Sequence, residues 1–174
     1  MTLDTELIKA AKQGDQASFS KLYEAVAPGM YKLALYTLGN AHDAEDAVSE
    51  AFMEAFRGLK NLRDEAAFKG WIYRILTVRC KRRIAEYIKG RNELDIDDFL
   101  HLPSGSSDIG ADSVQSIELV GALSRLTVQE RQIVVLSVLQ GYTTKEIAQI
   151  LSLPQGTVSS KLHRTLAKLR TMVR

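Results

Sequence analysis

The side chains of this sequence best suited to chemistry are cations and hydroxyls set along helical stretches. Thr157, Ser159, Ser160, Lys161, His163, Arg164 and Lys168 share the polar face of the segment 157–173. Such a face can donate hydrogen bonds to base edges and phosphates in a duplex groove. A second set is Arg74, Arg79, Lys81, Arg82, Arg83, Lys89 and Arg91, offset only by Glu86. Cations at this density bind phosphates and release counterions. Phe68, Trp71 and Tyr73 lie close by in sequence, and aromatic rings can stack on unpaired bases. A third set, Asp43, Asp46, Glu50 and Glu54, recurs every three or four residues and forms an acidic helix face. By residue type alone this reads as solvated surface, aided by the helix dipole near its start.

Catalysis is poorly served. His42, His101 and His163 are scattered, no glycine-rich phosphate loop is present, and no paired-carboxylate pocket is legible. Cys80 is the sole cysteine, which excludes an intrachain disulfide and argues against structural zinc. Its neighbours Arg79 and Lys81 would lower its pKa, yet on a helix it reads as incidental. No enzyme activity, metal or cofactor is expected.

The polar face of 157–173 needs a scaffold, and the preceding residues supply one. Thr143 and Glu146 have capping-box spacing, so a helix starts there. Ile147, Ala148 and Leu151 give it one apolar face. Residues 152–156, with Pro154 and Gly156, break it and turn the chain. A second helix follows with Val158, Leu162, Leu166, Leu169 and Val173 at buried spacing. Two short helices across a tight turn, the second basic, form a helix-turn-helix that can enter a major groove.

Net charge is +2, but the charges are segregated. Residues 1–92 carry 15 Lys/Arg against 12 Asp/Glu, residues 93–117 none against six, and residues 118–174 eight against three. Two basic bodies flanking an acidic segment suggest two nucleic-acid-binding modules on one tether. Pro103, the glycines and the serines of the middle segment predict a loop, with Leu94, Ile96, Phe99, Leu100 and Leu102 free to dock locally. About 25 flexible residues span roughly 25–30 Å on average and about 80 Å when extended. One DNA turn is about 34 Å, so the modules can reach sites more than a turn apart.

The amino-terminal part predicts helices throughout. Leu7, Ile8 and Ala11 begin the first, closed by Gly14 and Asp15. Phe19, Leu22, Tyr23 and Val26 mark the second, ending at Pro28. Tyr31, Leu35 and Leu38 continue to Gly39 and Asn40. A long helix from about His42 to Gly58 carries a core stripe of Ala44, Ala47, Val48, Ala51, Phe52, Ala55 and Phe56. A polar connection over 61–67 leads to a helix packed through Phe68, Trp71, Ile72, Ile75, Leu76 and Val78. No strand alternation of useful length occurs, so the fold is expected to be all-α. No apolar run approaches the roughly twenty residues needed to span a bilayer. The amino-terminal stretch lacks a signal pattern, so a cytoplasmic protein without membrane insertion is expected.

Three passages together resemble the extracytoplasmic-function (ECF) group of bacterial RNA polymerase sigma factors. GNAHDAEDAVSEAFMEAF (39–56) is similar to the family's polymerase-docking helix, and FKGWIYRI (68–75) to its promoter-melting helix. Residues 126–170, with EIA, GTV and the basic helix in order, are similar to its second domain. The resemblance implies two small helical domains of sigma-2 and sigma-4 type: residues 1–92, a linker over 93–117, and residues 118–174.

It implies roles as well. Asp43, Asp46, Glu50 and Glu54 would dock on core RNA polymerase. Lys60, Asn61 and Arg63 in the loop, with Trp71, Tyr73, Arg74, Arg79, Arg82 and Arg83, would melt and hold the −10 element. Thr157, Ser159, Ser160, Lys161, His163, Arg164 and Lys168 would read the −35 duplex. An anti-sigma factor would regulate the protein. Three positions depart from the family pattern: Ser49 replaces the usual Gln, and Val78 and Arg82 stand where Asn and Asp are common. Val cannot hydrogen-bond a base edge, and Arg82 is suited to phosphate rather than to base reading. The alternative is a helix-turn-helix repressor or activator binding an operator as a dimer, which leaves residues 39–83 without a purpose.

Overall fold

The computed structural model describes residues 3–89 and 114–173. Of the linker expected over 93–117, residues 93–113 lie outside them, with its apolar residues from Leu94 to Leu102, as do Arg91 and His101. Among the described residues all regular structure is helical. The first half contains α1 (Thr5–Lys12), α2 (Gln16–Leu38), α3 (Ala41–Gly58) and α4 (Phe68–Tyr87). The second contains α5 (Val114–Leu123), α6 (Val128–Val134), α7 (Thr144–Leu151) and α8 (Gln155–Met172). Short 3₁₀ turns at Leu59–Asn61 and Glu65–Ala67 join α3 to α4, and a π-helical turn at Val135–Leu139 extends α6.

Caps explain most starts. Asp4, Asp15 and Asn40 each accept a backbone N–H of the first turn through a side-chain oxygen. Thr127–Glu130 and Thr143–Glu146 both form reciprocal capping boxes.

Several expectations need correction. The helix marked by Phe19 and Val26 does not end at Pro28, because α2 runs through it to Leu38. Proline removes one backbone donor and costs about 3 kcal/mol inside a helix. Leu22, Val26, Met30, Leu33, Ala34 and Leu38 are all buried along α2. Each large side chain among them contributes roughly 1.5–3 kcal/mol, so the continuous face outweighs the break. The chain stops instead at Gly39, whose φ of 70° is the left-handed cap glycine favours.

Phe56 and Val78 were expected in the core but are 51% and 54% exposed. Phe56 sits on the rim, edge-on to Phe19 with ring centroids 5.0 Å apart. Val173 is likewise exposed, while Thr165, from the segment's polar positions, is buried. At the turn between α7 and α8 the left-handed residue is Ser152 (φ 56°), Pro154 caps α8, and Gly156 lies inside the helix. Helix α5 begins at Val114 and spans the 117/118 boundary drawn from charge. Its apolar composition, VQSIELVGAL, is helical content that a count of charges overlooks.

The two halves share a continuous apolar core. Phe68, Ile72 and Leu76 of α4 belong to the same cluster as Leu136, Ile147, Ile150 and Val158. Helix α7 packs on α4, and α6 packs on α2. Polar bonds cross the junction. Gln140 donates through Nε2 to the Gly29 carbonyl at 2.9 Å and accepts the Tyr73 hydroxyl at 2.8 Å. Arg131, wholly buried, donates to the Leu126 carbonyl at 2.9 Å and to the Thr37 carbonyl of α2 at 3.4 Å. Burial lowers its pKa to about 10.

Gly29 makes this junction possible. A Cβ there would strike the Tyr73 hydroxyl and press on Gln140 Oε1 at 3.3 Å. Gly29→Ala is therefore expected to destabilise the chain by about 1–3 kcal/mol, as overpacking does. Urea unfolding should show a lowered midpoint, and small-angle scattering an enlarged radius as the halves part.

Candidate functional site

Helix α8 presents the first candidate surface. Val158 and Thr165 are buried, and Leu162, Leu166 and Leu169 are half-buried, so the opposite face is fixed outward. Ser159, Ser160, His163, Arg164 and Lys168 are exposed there, with Thr157 and Lys161 half-buried at the edge. The seven positions thus fall on one helix and open to solvent on one side. Two cations are braced from within. Arg164 Nε donates to the Ser160 carbonyl at 3.3 Å, and Lys168 Nζ lies 3.3 Å from the Glu130 carboxylate of α6. Burial pushes Glu130 up, but hydrogen bonds from Thr127 and Lys168 outweigh it and hold its carboxyl below the ordinary range.

The supporting helix α7 is pinned at its start. Thr143 N–H donates to Glu146 Oε2 at 2.7 Å, and Glu146 N–H donates to Thr143 Oγ1 at 3.2 Å. The Thr143 backbone N–H holds the Glu146 pKa below its ordinary 4.5. A carboxylate favoured by folding contributes fully above its unfolded pKa, and the contribution fades as pH falls through the folded one. Stability should therefore decline on acidification below about pH 4.5. Glu146→Gln keeps the acceptor and cannot titrate, so its urea midpoint should fall less steeply with acid than that of the parent chain.

The second candidate surface lies around the α3–α4 connection. Leu59 and Leu62 are buried anchors, which leaves Lys60, Asn61 and Arg63 exposed. Lys12 of α1 fastens the loop, donating to the Leu62 carbonyl at 2.6 Å and to Glu65 at 2.9 Å. That bond holds the Glu65 carboxyl below its ordinary range. Trp71 is half-buried beside Phe68, with ring centroids 6.1 Å apart. A cleft of about 710 Å3 opens between this loop and α7, lined by Glu65, Trp71, Arg74, Tyr142, Glu146 and Gln149 among others. Arg74 and Arg82 are exposed.

Tyr73 is not available at that surface in this arrangement. Its ring is buried against Tyr142 at 5.4 Å, and burial pushes its hydroxyl pKa up to about 12. Lys69 Nζ stands 4.9 Å from the Tyr142 ring centroid. Cys80 is fully buried, which also raises its pKa to about 12 and leaves it an unreactive thiol.

The third surface is the acidic row of α3. Asp43, Asp46, Glu50 and Glu54 line up along the helix, and Arg79 and Arg83 of α4 turn toward them. Arg79 Nε lies 3.0 Å from Glu54 Oε2, and Arg83 Nη2 lies 3.4 Å from Glu50 Oε1. The structure therefore brings two cations expected on DNA together with the row expected on a protein. Among the described residues no ion pair joins Lys60, Arg63 or Arg74 to that row.

Sequence reasoning missed Lys12, Gly29, Arg131, Gln140 and Tyr142. Their roles depend on partners far away in the sequence, and no local pattern signals that.

Comparison with known proteins agrees with this geometry. Residues 22–88 match the family described as Sigma-70 region 2, and residues 116–169 match Sigma-70, region 4. ECF RNA polymerase sigma factor SigM of Mycobacterium tuberculosis is 31% identical over 170 residues, spanning 98% of this chain and 84% of the relative. SigW of Bacillus subtilis is 29% identical over 177 residues, spanning 96% and 95%. Among solved structures, CnrH in complex with the cytosolic domain of CnrY superposes with a TM-score of 0.74 at 21% identity, covering 98% and 96%. RpoE of Bartonella quintana, bound to the anti-sigma factor NepR, gives 0.68 at 20%, covering 89% and 96%.

Regions 2 and 4 in this order, on two helical bodies, define a sigma-70-type initiation factor. Within that class the chain belongs to the ECF RNA polymerase sigma factors. Its partners are core RNA polymerase and promoter DNA, and the chemistry of transcription belongs to the polymerase rather than to this chain.

Proposed function

We propose that this sigma factor divides promoter recognition between its halves. Residues 1–92 dock on core polymerase and open the −10 element, residues 118–174 read the −35 duplex, and 93–117 tether them, with α5 extending the second body back to Val114. The observation that carries this reading is the one-sided polar face of α8, held outward by buried Val158 and Thr165. Its hydroxyls and cations fit a major groove, with Thr157, Ser159, Ser160, Lys161, His163, Arg164 and Lys168 as the reading set.

The exposed Lys60, Asn61, Arg63, Arg74 and Arg82 suit the −10 phosphates, and Trp71 offers a stacking edge. Asp43, Asp46, Glu50 and Glu54 suit a cationic surface of the polymerase. Opening a duplex unstacks bases at a few kcal/mol each, so the freed strand needs these contacts together.

The packed arrangement of the halves bears on regulation. Helix α7 meets Thr77 of α4, and Gln140 and Tyr142 just before α7 cover Tyr73, so Tyr73 reaches a DNA strand only after the halves separate. A partner that holds them packed would silence the factor. An anti-sigma factor is the partner this arrangement suits; among the solved structures of similar fold, CnrH is bound by the cytosolic domain of CnrY and RpoE by the anti-sigma factor NepR. Among the described residues no helix is long and apolar enough to cross a membrane. We place the protein in the cytoplasm, where the polymerase works.

In vitro transcription with core polymerase on a genomic library tests the reading. Transcripts should start at discrete sites sharing two elements at fixed spacing. Tight binding of a palindromic operator by the chain alone, as a dimer, would instead establish the repressor reading.

A further inference from the structure

The arginines of α4 divide into two groups by what they face. Arg74 and Arg82 are exposed, whereas Arg79 and Arg83 retain only 21% and 25% of their side-chain exposure. Both of the latter lie over α3. Helices α3 and α4 run antiparallel here, as the pairing order requires. Arg79 meets Glu54 and Glu50, and Arg83, one turn further on, meets Glu50, Asp46 and Asp43.

The small residues Ala44, Ala47, Ala51 and Ala55 are buried on α3, as Cys80 and Ile84 are on α4, and small side chains permit close approach of the two packed helices. The distances are 3.7 Å from Arg79 to Glu50, 3.4 Å from Arg83 to Glu50, and 3.9 Å from Arg83 to both Asp43 and Asp46. Arg79 also makes a short bond to Glu54, and Tyr87 donates a short hydrogen bond to Asp43.

All four carboxylates of the row are thus tied to α4. Two guanidiniums against four carboxylates, with Glu86 a fifth at 3.9 Å from Arg83, leave the face anionic. A DNA phosphate reaching for Arg79 or Arg83 would have to enter this acidic field, where like charges repel. A cationic protein surface would meet carboxylates whose orientation is already set. Ordering long side chains before binding removes part of the cost of association.

We infer that Arg79 and Arg83 are positioning residues for polymerase docking and not contacts to promoter DNA. They hold Asp43, Asp46, Glu50 and Glu54 in the geometry the polymerase meets. This rests on the docking role proposed above for that row. It reassigns two of the cations whose sequence context pointed to −10 phosphates, and leaves that task to Arg74, Arg82 and the loop.

The test uses the full chain carrying R79Q and R83Q together, R79Q alone, and the charge-retaining pair R79K and R83K. Affinity for core polymerase is measured by fluorescence anisotropy. Binding of single-stranded −10 DNA is then measured at saturating core, across a salt series. Helicity and urea midpoints are recorded for each protein, and R79Q alone, which perturbs fewer pairs, keeps the comparison valid if the double variant unfolds. The double Gln variant should bind core about tenfold more weakly, R79Q alone less so, and the Lys pair should recover part of the loss. The salt slope of −10 binding should not change.

Core affinity that is unchanged or tighter, with the single-strand salt slope reduced by about 0.7 per arginine, would overturn the inference. Reversing Asp46 and Glu50 to Lys separates the two levels. If that protein binds core normally, the docking role itself fails; if it loses core while the arginine variants do not, only the positioning role fails.

Discussion

The double variant Asp46→Lys, Glu50→Lys should lose capture of core RNA polymerase while keeping its helices. Both side chains are partly open, at 43% and 39% exposure, on the face away from the α3 core. Placing two like charges against a cationic partner costs several kcal/mol, so affinity should fall by more than about a hundredfold. The fold should survive because Ala44, Ala47, Val48, Ala51, Phe52 and Ala55, which hold α3, are untouched. The ion pairs lost with Arg83, whose carboxylates are 43% and 39% exposed, contribute only about 0–1 kcal/mol each. Core pull-down alongside circular dichroism checks both statements. Normal capture by the reversed protein would reduce the row to solvated surface.

Arg164→Ala should weaken promoter binding by about 1–3 kcal/mol if the guanidinium reads a guanine edge. The loss should then be confined to promoters carrying that guanine. Arg164 is exposed on α8 and braced by its own Nε bond to Ser160, so its approach to the groove is partly ordered in advance. Lys161→Ala, at the half-buried edge of the same face, should cost less. A phosphate contact there would weaken all sequences alike and lower the salt slope by about one. Holoenzyme binding to a panel of −35 variants separates the two behaviours. Unchanged binding by both single variants would remove the reading role from this face.

What the sequence made legible was whatever depends on neighbours a few residues apart. The Thr143–Glu146 box, the glycine at position 39 and the apolar stripe of α3 are short-range patterns with short-range causes, and each stands in the structure. Pro28 misled because its local cost is offset by burial that only the completed bundle provides. Val78 and Phe56 fit a helical stripe by spacing, yet they lie at its margins, where a few tens of degrees of rotation decide exposure.

The candidate surfaces were legible as residue types and not as partnerships. Arg79 and Arg83 looked like members of one cationic helix face. Which of those cations turns toward α3 depends on how two helices pack, and a single stretch of sequence does not encode that. Arg131 reads as a surface cation by type, but it is buried at the junction of the halves on carbonyls from Leu126 and Thr37. The same holds for Gln140 and Tyr142, which meet Gly29 and Tyr73 far away in the sequence.

The central claim is that promoter opening needs this chain and core polymerase together. The most direct measurement is the fluorescence of 2-aminopurine placed at the −10 element of a duplex promoter. The expected result is a rise on adding the chain with core polymerase, none with either component alone, and only weak, non-melting duplex binding by a fragment of residues 113–174. If the chain alone, or that fragment, bound duplex as tightly as the holoenzyme while core added no opening, the division of labour proposed here would be contradicted and an operator-binding regulator would take its place.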